Sequence, residues 1–235
     1  MTDELAVPDR VVDVETPQGL ARGHLFLPAG LAPRHDPSRP GALGPDARVS
    51  VPGALVLGHG AGGGIGAPDL VAVTAAATEL GLAVVLVEQP YRVAGRRVGP
   101  RGPALDSAWA AVVAHLRAHV LDGPLVTGGR SAGARTACRT ASDTGAAGVL
   151  CLAFPTRPPG RPDAPSRLPE LDAVDAPVLV VQGDRDPYGT PPPAAGRTVV
   201  TVPGDHALRR DLAAVTAAVL PWLRATLPLP SPPGR

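Results

Sequence analysis

The chain has no lysine, no asparagine and a single isoleucine, Ile65, among its 235 residues. The missing lysine excludes whole classes of chemistry. Without an amine for a Schiff base or an ammonium for a phosphate loop, pyridoxal-phosphate enzymes and Walker-type NTPases are out. Excess charge is missing too: a formal net charge of +1 argues against nucleic acid as the main partner. The opening residues, "MTDELAVPDR", carry acids where a secretory signal needs basic and apolar residues. The uncharged, mostly apolar run at residues 212–223 is too short to span a bilayer. Cysteine is scarce. Cys138 and Cys151 both sit in apolar segments, where buried reduced thiols are expected rather than a disulfide. The reading is a cytoplasmic chain whose partner is a small molecule, with no nucleic acid, membrane, metal or cofactor. Oligomeric state leaves no mark in the sequence.

Glycine (28) and proline (30) are abundant, at a level that approaches low-complexity composition. Hydrophobic periodicity survives nonetheless, and it is the better guide. Residues 11–15 and 20–27 read as two strands joined by a turn at 17–19, and residues 28–50 as an aperiodic surface loop. Apolar runs at 53–60, 82–90, 124–130, 146–154 and 176–184 read as buried strands, with a last strand at 197–204. Between them, Pro68 opens a helix that Gly81 closes. In the next helix Leu105, Ala108, Trp109, Val112, Val113, Leu116 and Val120 share one face, and Gly123 ends it. Helices are also expected over 132–142 and 208–227, the second kinked at Pro221. Strands alternating with helices predict an α/β fold, a doubly wound, mostly parallel sheet with helices on both faces. One domain over residues 1–227 is expected, followed by a flexible Pro-rich tail, 228–235. The loop between the 146–154 and 176–184 strands is too short for a cap domain.

The octet "GGRSAGAR" (128–135) places Ser131 between a predicted strand and a predicted helix, the setting in which G-x-S-x-G marks a nucleophile on a strained turn. A serine hydroxyl needs a base, and the base an orienting acid. Two later strand ends supply them: "QGDRDPYG" with Asp184 and Asp186, then "GDHAL" with His206. Asp186 is the preferred acid because it lies two residues further into its loop. The two N–H donors of an oxyanion hole are expected from Ala132 and from "HGAGGG" (59–64), at Ala61 with Gly62 as the alternate. Each residue also has a plainer reading. Ser131 could be an N-cap, either aspartate a turn residue before Pro187, His206 a surface histidine, and the glycine run a phosphate loop. Their order, Ser then Asp then His at successive strand ends, favours a hydrolase site.

With these residues in view, the chain resembles a small α/β-hydrolase family related to dienelactone hydrolases, shared with the testis-expressed Tex-thirty protein and regulatory subunit three of the NSL chromatin complex. The resemblance rests on "GHGAGG" (58–63), "GGRSAGAR", "LCLAFPTRPPG" (150–160), "VQGDRDPYG" (181–189) and "DHAL" (205–208), and runs from about Pro52 to Leu223. It implies an α/β-hydrolase fold with the triad Ser131, Asp186 and His206. The family pattern usually has a bulkier residue where Ala132 stands, a difference that bears on pocket size.

The function expected is a serine hydrolase cleaving a carboxylic ester or thioester through an acyl-enzyme. The rival is a non-catalytic interaction module on the same fold. Arginines crowd the loops at the predicted catalytic edge: Arg92, Arg96, Arg97 and Arg101, then Arg157, Arg161 and Arg167, with Arg130 and Arg185 beside the nucleophile and the acid. Arg92, Arg96, Arg97 and Arg130 are the candidates for binding an anionic substrate. The plainer alternative is that a chain without lysine uses arginine at every solvated positive site.

Overall fold

Runs of Val, Leu and Ala with no polar alternation need cover on both faces, and they form the middle of one sheet. The structure is a computed structural model whose described residues are 5–31, 48–100 and 102–229. Its elements are β1 (Arg10–Thr16), β2 (Gly19–Phe26), β3 (Val49–Ser50), β4 (Ala54–Gly58), α1 (Pro68–Glu79), β5 (Ala83–Glu88), α2 (Pro90–Val93), α3 (Gly102–His119) and β6 (Leu121–Asp122). There follow β7 (Leu125–Arg130), α4 (Ala132–Arg139), α5 (Ala141–Thr144), β8 (Gly148–Leu152), α6 (Leu168–Asp172), β9 (Val178–Gly183), β10 (Arg197–Val202) and α7 (Leu212–Thr226).

Eight strands form one sheet in the order β1-β2-β5-β4-β7-β8-β9-β10. The β1–β2 hairpin and the β2–β5 pair are antiparallel, and every pairing from β5 through β10 is parallel. From β4 the chain crosses one way to β5, then the other way to β7. The switch in direction therefore falls between β4 and β7, where open α/β sheets bind ligands beyond the carboxyl ends of their strands. β4 leads into "HGAGGG", and β7 turns at Ser131 directly into α4.

Alternation along the central strands divides the interior into two cores. Leu55 and Leu57 of β4 face Leu70 and Val73 of α1 and Val215, Val219 and Leu223 of α7. Ala54 and Val56 face the opposite way, toward Trp109, Val112 and Leu116 of α3 and Ala134 of α4. Each fully buried leucine stabilises the fold by about 2 kcal/mol relative to exposure. This is the doubly wound, mostly parallel sheet the sequence predicts. Among the described residues, the connection from β8 to β9 contains only the five-residue α6, so no cap domain is inserted there.

The structure differs from the sequence reading in several places. The 28–50 stretch ends in β3, which pairs in parallel with β6 to make a two-stranded sheet; residues 32–47 lie outside the described residues. The helix expected to run to Gly123 stops at His119, because Leu121 and Asp122 are extended and pair with Val49 and Ser50. The 132–142 helix is divided at Thr140 into α4 and α5. The last helix starts at Leu212 rather than 208: Leu208 has φ 51°, and the Asp211 side chain caps the helix by accepting the Ala214 N–H. That helix runs through Pro221 without interruption. Of the 228–235 tail, residues 230–235 lie outside the described residues.

Candidate active site

Ser131 is the single residue between β7 and α4, and its backbone has φ 52° and ψ −105°. A side chain held at positive φ costs about 1–3 kcal/mol. The turn is fixed by the Ser131 N–H donating to Leu152 O (2.9 Å) and by its own carbonyl accepting the Arg135 N–H (3.2 Å). Glycine on either side is a steric necessity. A Cβ at Gly129 or Gly133 would lie 2.3 or 2.4 Å from the Gly58 carbonyl oxygen, so only glycine lets β7 and α4 close onto β4. Among the described residues, the other non-glycine residues at positive φ are Ala153, just past β8, and Leu208, two residues after His206. Backbone strain thus gathers along the same edge of the sheet.

The three predicted catalytic side chains meet. His206 Nε2 lies 2.9 Å from Ser131 Oγ, and His206 Nδ1 lies 2.8 Å from Asp186 Oδ2. A carboxylate only accepts, so Nδ1 carries the hydrogen and Nε2 is left as the acceptor facing the hydroxyl. The Asp186 side chain is fully buried, and its Oδ1 accepts the Tyr188 N–H at 2.9 Å. The Tyr188 ring lies against the imidazole with centroids 4.1 Å apart. Asp184 does something else: its exposed carboxylate accepts the Gly204 N–H at 2.8 Å and pairs loosely with Arg185.

The Ala132 N–H opens α4 and so has no acceptor within its own helix. Opposite it, Gly60 is close enough that a Cβ there would stand 3.7 Å from Ser131 Cβ. The loop from 59 to 64 is held from below. Buried His59 donates from Nδ1 to Gly60 O (2.9 Å) and accepts the Gln89 N–H at Nε2 (3.2 Å), an arrangement that requires the neutral ring. Burial lowers the His59 pKa and so keeps it neutral. Tyr91 donates its hydroxyl to Ala61 O at 3.1 Å, and burial raises its pKa and keeps it protonated. The Gly63 N–H is committed to Gly60 O. Among the described residues the N–H groups of Ala61 and Gly62 have no acceptor.

The arginines divide into two groups. Arg92 on α2 is half-buried, with its guanidinium 3.8 Å from a Cβ placed at Gly64, and Arg96 and Arg97 are exposed. Among the described residues none of these three pairs with a carboxylate; Arg101 lies outside them. Arg130 is different. It turns inward, with Nε 3.1 Å from Asp69 Oδ2 and Nη2 donating to the His206 carbonyl at 2.9 Å, so its charge is neutralised rather than offered to a substrate. Arg157 and Arg167 hold the carbonyls of Ala164 and Pro155.

Among the described residues no three His, Cys, Asp or Glu side chains gather as a metal site, and no helix is long and apolar enough to cross a membrane. Cys138 and Cys151 are buried free thiols with Sγ atoms 3.5 Å apart. Sequence reasoning missed Gln182, His59, Tyr91 and Asp69. Gln182 stands inside the quoted "VQGDRDPYG", but nothing in the motif says that its side chain points at Asp186.

A family model described as an alpha/beta hydrolase domain matches residues 52–209. The chain belongs to that family. No curated protein sequence matches it. Among solved structures, the chain is similar to an α/β serine hydrolase without a lid from Xanthomonas campestris, with 21% identity, 98% of this chain and 99% of that one covered and a TM-score of 0.67. It is also similar to an alpha-beta serine hydrolase homologue from Coxiella burnetii (18% identity, 93% and 99% covered, TM-score 0.65). A dienelactone hydrolase from Anabaena variabilis is a third such structure (20% identity, 93% and 97% covered, TM-score 0.63). The likeness is one of fold.

Proposed function

We propose that this alpha/beta hydrolase-domain protein is a serine hydrolase that cleaves a carboxylic ester or thioester through an acyl-enzyme. The observation that carries this reading is the unbroken hydrogen-bond path from Ser131 Oγ through both nitrogens of His206 to the buried Asp186 carboxylate. In the first half-reaction Ser131 Oγ attacks the acyl carbon while its proton passes to His206 Nε2. Asp186 holds the imidazole in the required tautomer and stabilises the imidazolium that forms. The oxyanion is met by the N–H of Ala132 and that of Ala61, with Gly62 as the alternate donor. The imidazolium then protonates the departing alcohol or thiol. In the second half, His206 takes a proton from water, which attacks the acyl carbon, and returns it to Ser131 Oγ as the acid leaves.

In this reading the substrate is a small molecule carrying negative charge near its scissile bond. What supports that is Arg92, whose guanidinium lies 3.8 Å from a Cβ placed at Gly64 of the 59–64 loop, with Arg96 and Arg97 following it in the exposed segment after β5. The test is a panel of p-nitrophenyl esters and thioesters followed before steady state. A burst of one equivalent per chain with at least one of them supports the acyl-enzyme; no burst and no turnover across the panel contradicts it.

A further inference from the structure

Arg130 precedes the nucleophile yet points away from solvent, with its side chain 17% exposed, against an Asp69 carboxylate that is fully buried. Three chain segments meet on this guanidinium. Asp69 belongs to the first turn of α1. The His206 carbonyl accepts from Nη2 at 2.9 Å. Gly60 stands so near that a Cβ there would come 3.0 Å from Nη1. One side chain therefore touches α1, the loop bearing the oxyanion donors and the loop carrying the general base. We propose that Arg130 and Asp69 are positioning residues, a strut that sets the His206 loop at hydrogen-bond reach of Ser131 and holds the 59–64 loop beside it. This rests on the hydrolase reading for its effect on rate, though the strut itself is a claim about the His206 loop.

Stability is a poor reason for this pair to exist. A buried ion pair gains little over well-packed apolar side chains, because desolvation offsets the attraction. Here burial is the largest influence on Asp69 and pushes its pKa up to about 6, against the opposing pull of Arg130. The guanidinium does what an apolar side chain cannot: its planar fork serves a carboxylate and a carbonyl at once. Lysine could still neutralise Asp69, but it lacks the rigid planar fork that presents separate N–H groups to the carboxylate and to the carbonyl.

The experiment compares wild type, Arg130→Lys and the apolar double variant Asp69→Leu/Arg130→Met. It reads kcat, KM, Tm and hydrogen exchange of residues 203–208. The strut predicts a kcat lower by about ten- to hundredfold in both variants, with KM unchanged. The double variant should keep or exceed the wild-type Tm, and exchange at 203–208 should be faster in both. Wild-type kcat in both variants overturns the proposal, and so does a loss of rate that only tracks a loss of Tm. If the wild type itself turns over no ester, the hydrolase reading fails and hydrogen exchange decides the strut alone: faster exchange in Arg130→Lys at unchanged Tm supports it, and unchanged exchange overturns it.

Discussion

Gln182 donates from Nε2 to Asp186 Oδ2 at 2.7 Å, the same oxygen that faces His206 Nδ1. The amide also reaches the carbonyls of Phe154 (3.2 Å) and Gly189 (2.9 Å). A residue at the end of β9 thus anchors both the acid and the loops around it. Gln182→Leu should destabilise the protein by about 1–3 kcal/mol, through buried acceptors left without donors, and should lower kcat. Gln182→Glu should be worse for activity, because a second carboxylate beside Asp186 forces the pair to retain a proton. Urea melts and steady-state kinetics of the two variants check this.

Asp186 and Asp184 make opposite predictions. Asp186→Asn should lower kcat by about 10⁴-fold, since an amide at this position favours the wrong histidine tautomer. Asp184→Asn should leave kcat within a few-fold. Its cost should be about 1 kcal/mol of stability from the weakened hold on the Gly204 N–H. Comparing the two variants on one activated ester decides the assignment.

Two buried groups give stability opposite slopes against pH. The folded state raises Asp69 from 3.8 to about 6, so its protonated form is favoured on folding. That contribution is complete below about pH 4 and lost as pH rises through 6, a change on the order of 3 kcal/mol. The folded state lowers His59 from 6.5, so its neutral form is favoured; that contribution is complete above about pH 6.5 and lost as pH falls below it. Across pH 4 to 6, the stability of Asp69→Asn relative to wild type should therefore rise with pH. The stability of His59→Gln relative to wild type should be lowest above pH 6.5 and recover as the medium is acidified. Tm measured at half-unit steps in pH reads both.

The unpaired arginines give a kinetic prediction. A carboxylate-bearing ester should have a higher kcat/KM than a neutral ester of similar size, and the advantage should shrink between low and high salt as screening sets in. Replacing Arg92, Arg96 and Arg97 by Gln should remove the advantage while sparing the neutral ester. A neutral ester preferred at every salt concentration would make these arginines solvated surface.

The parallel strands were legible because a strand buried on both faces must be an apolar run, and β4, β5, β7, β8 and β9 each lie within one. The order of Ser131, Asp186 and His206 was legible because each follows a strand and so arrives at the same edge. Short elements were not. β3 and β6 have two residues each, too few for a period, and exist because they find each other across the fold. α2 and α6 hide in segments rich in proline and arginine. Arg130 stands next to the nucleophile on an arginine-rich edge, which points it to substrate, whereas its counter-charge, Asp69, belongs to α1, some sixty residues earlier in the chain. Such a pairing depends on tertiary packing, and no local spacing encodes it. Gln182 was invisible for the same reason: a glutamine in a buried strand is recognisable as a ligand of the acid only once the strand is laid beside its loop.

The central claim is that Ser131 is an activated nucleophile. Intact-mass measurement after incubation with a fluorophosphonate, followed by peptide mapping, tests it without knowledge of the substrate. The account predicts one phosphonyl group per chain, located on Ser131, absent in Ser131→Ala and slowed by orders of magnitude in Asp186→Asn, with Ser131→Ala folded as wild type. Equal labelling of wild type and Ser131→Ala, or no labelling of either, would contradict it.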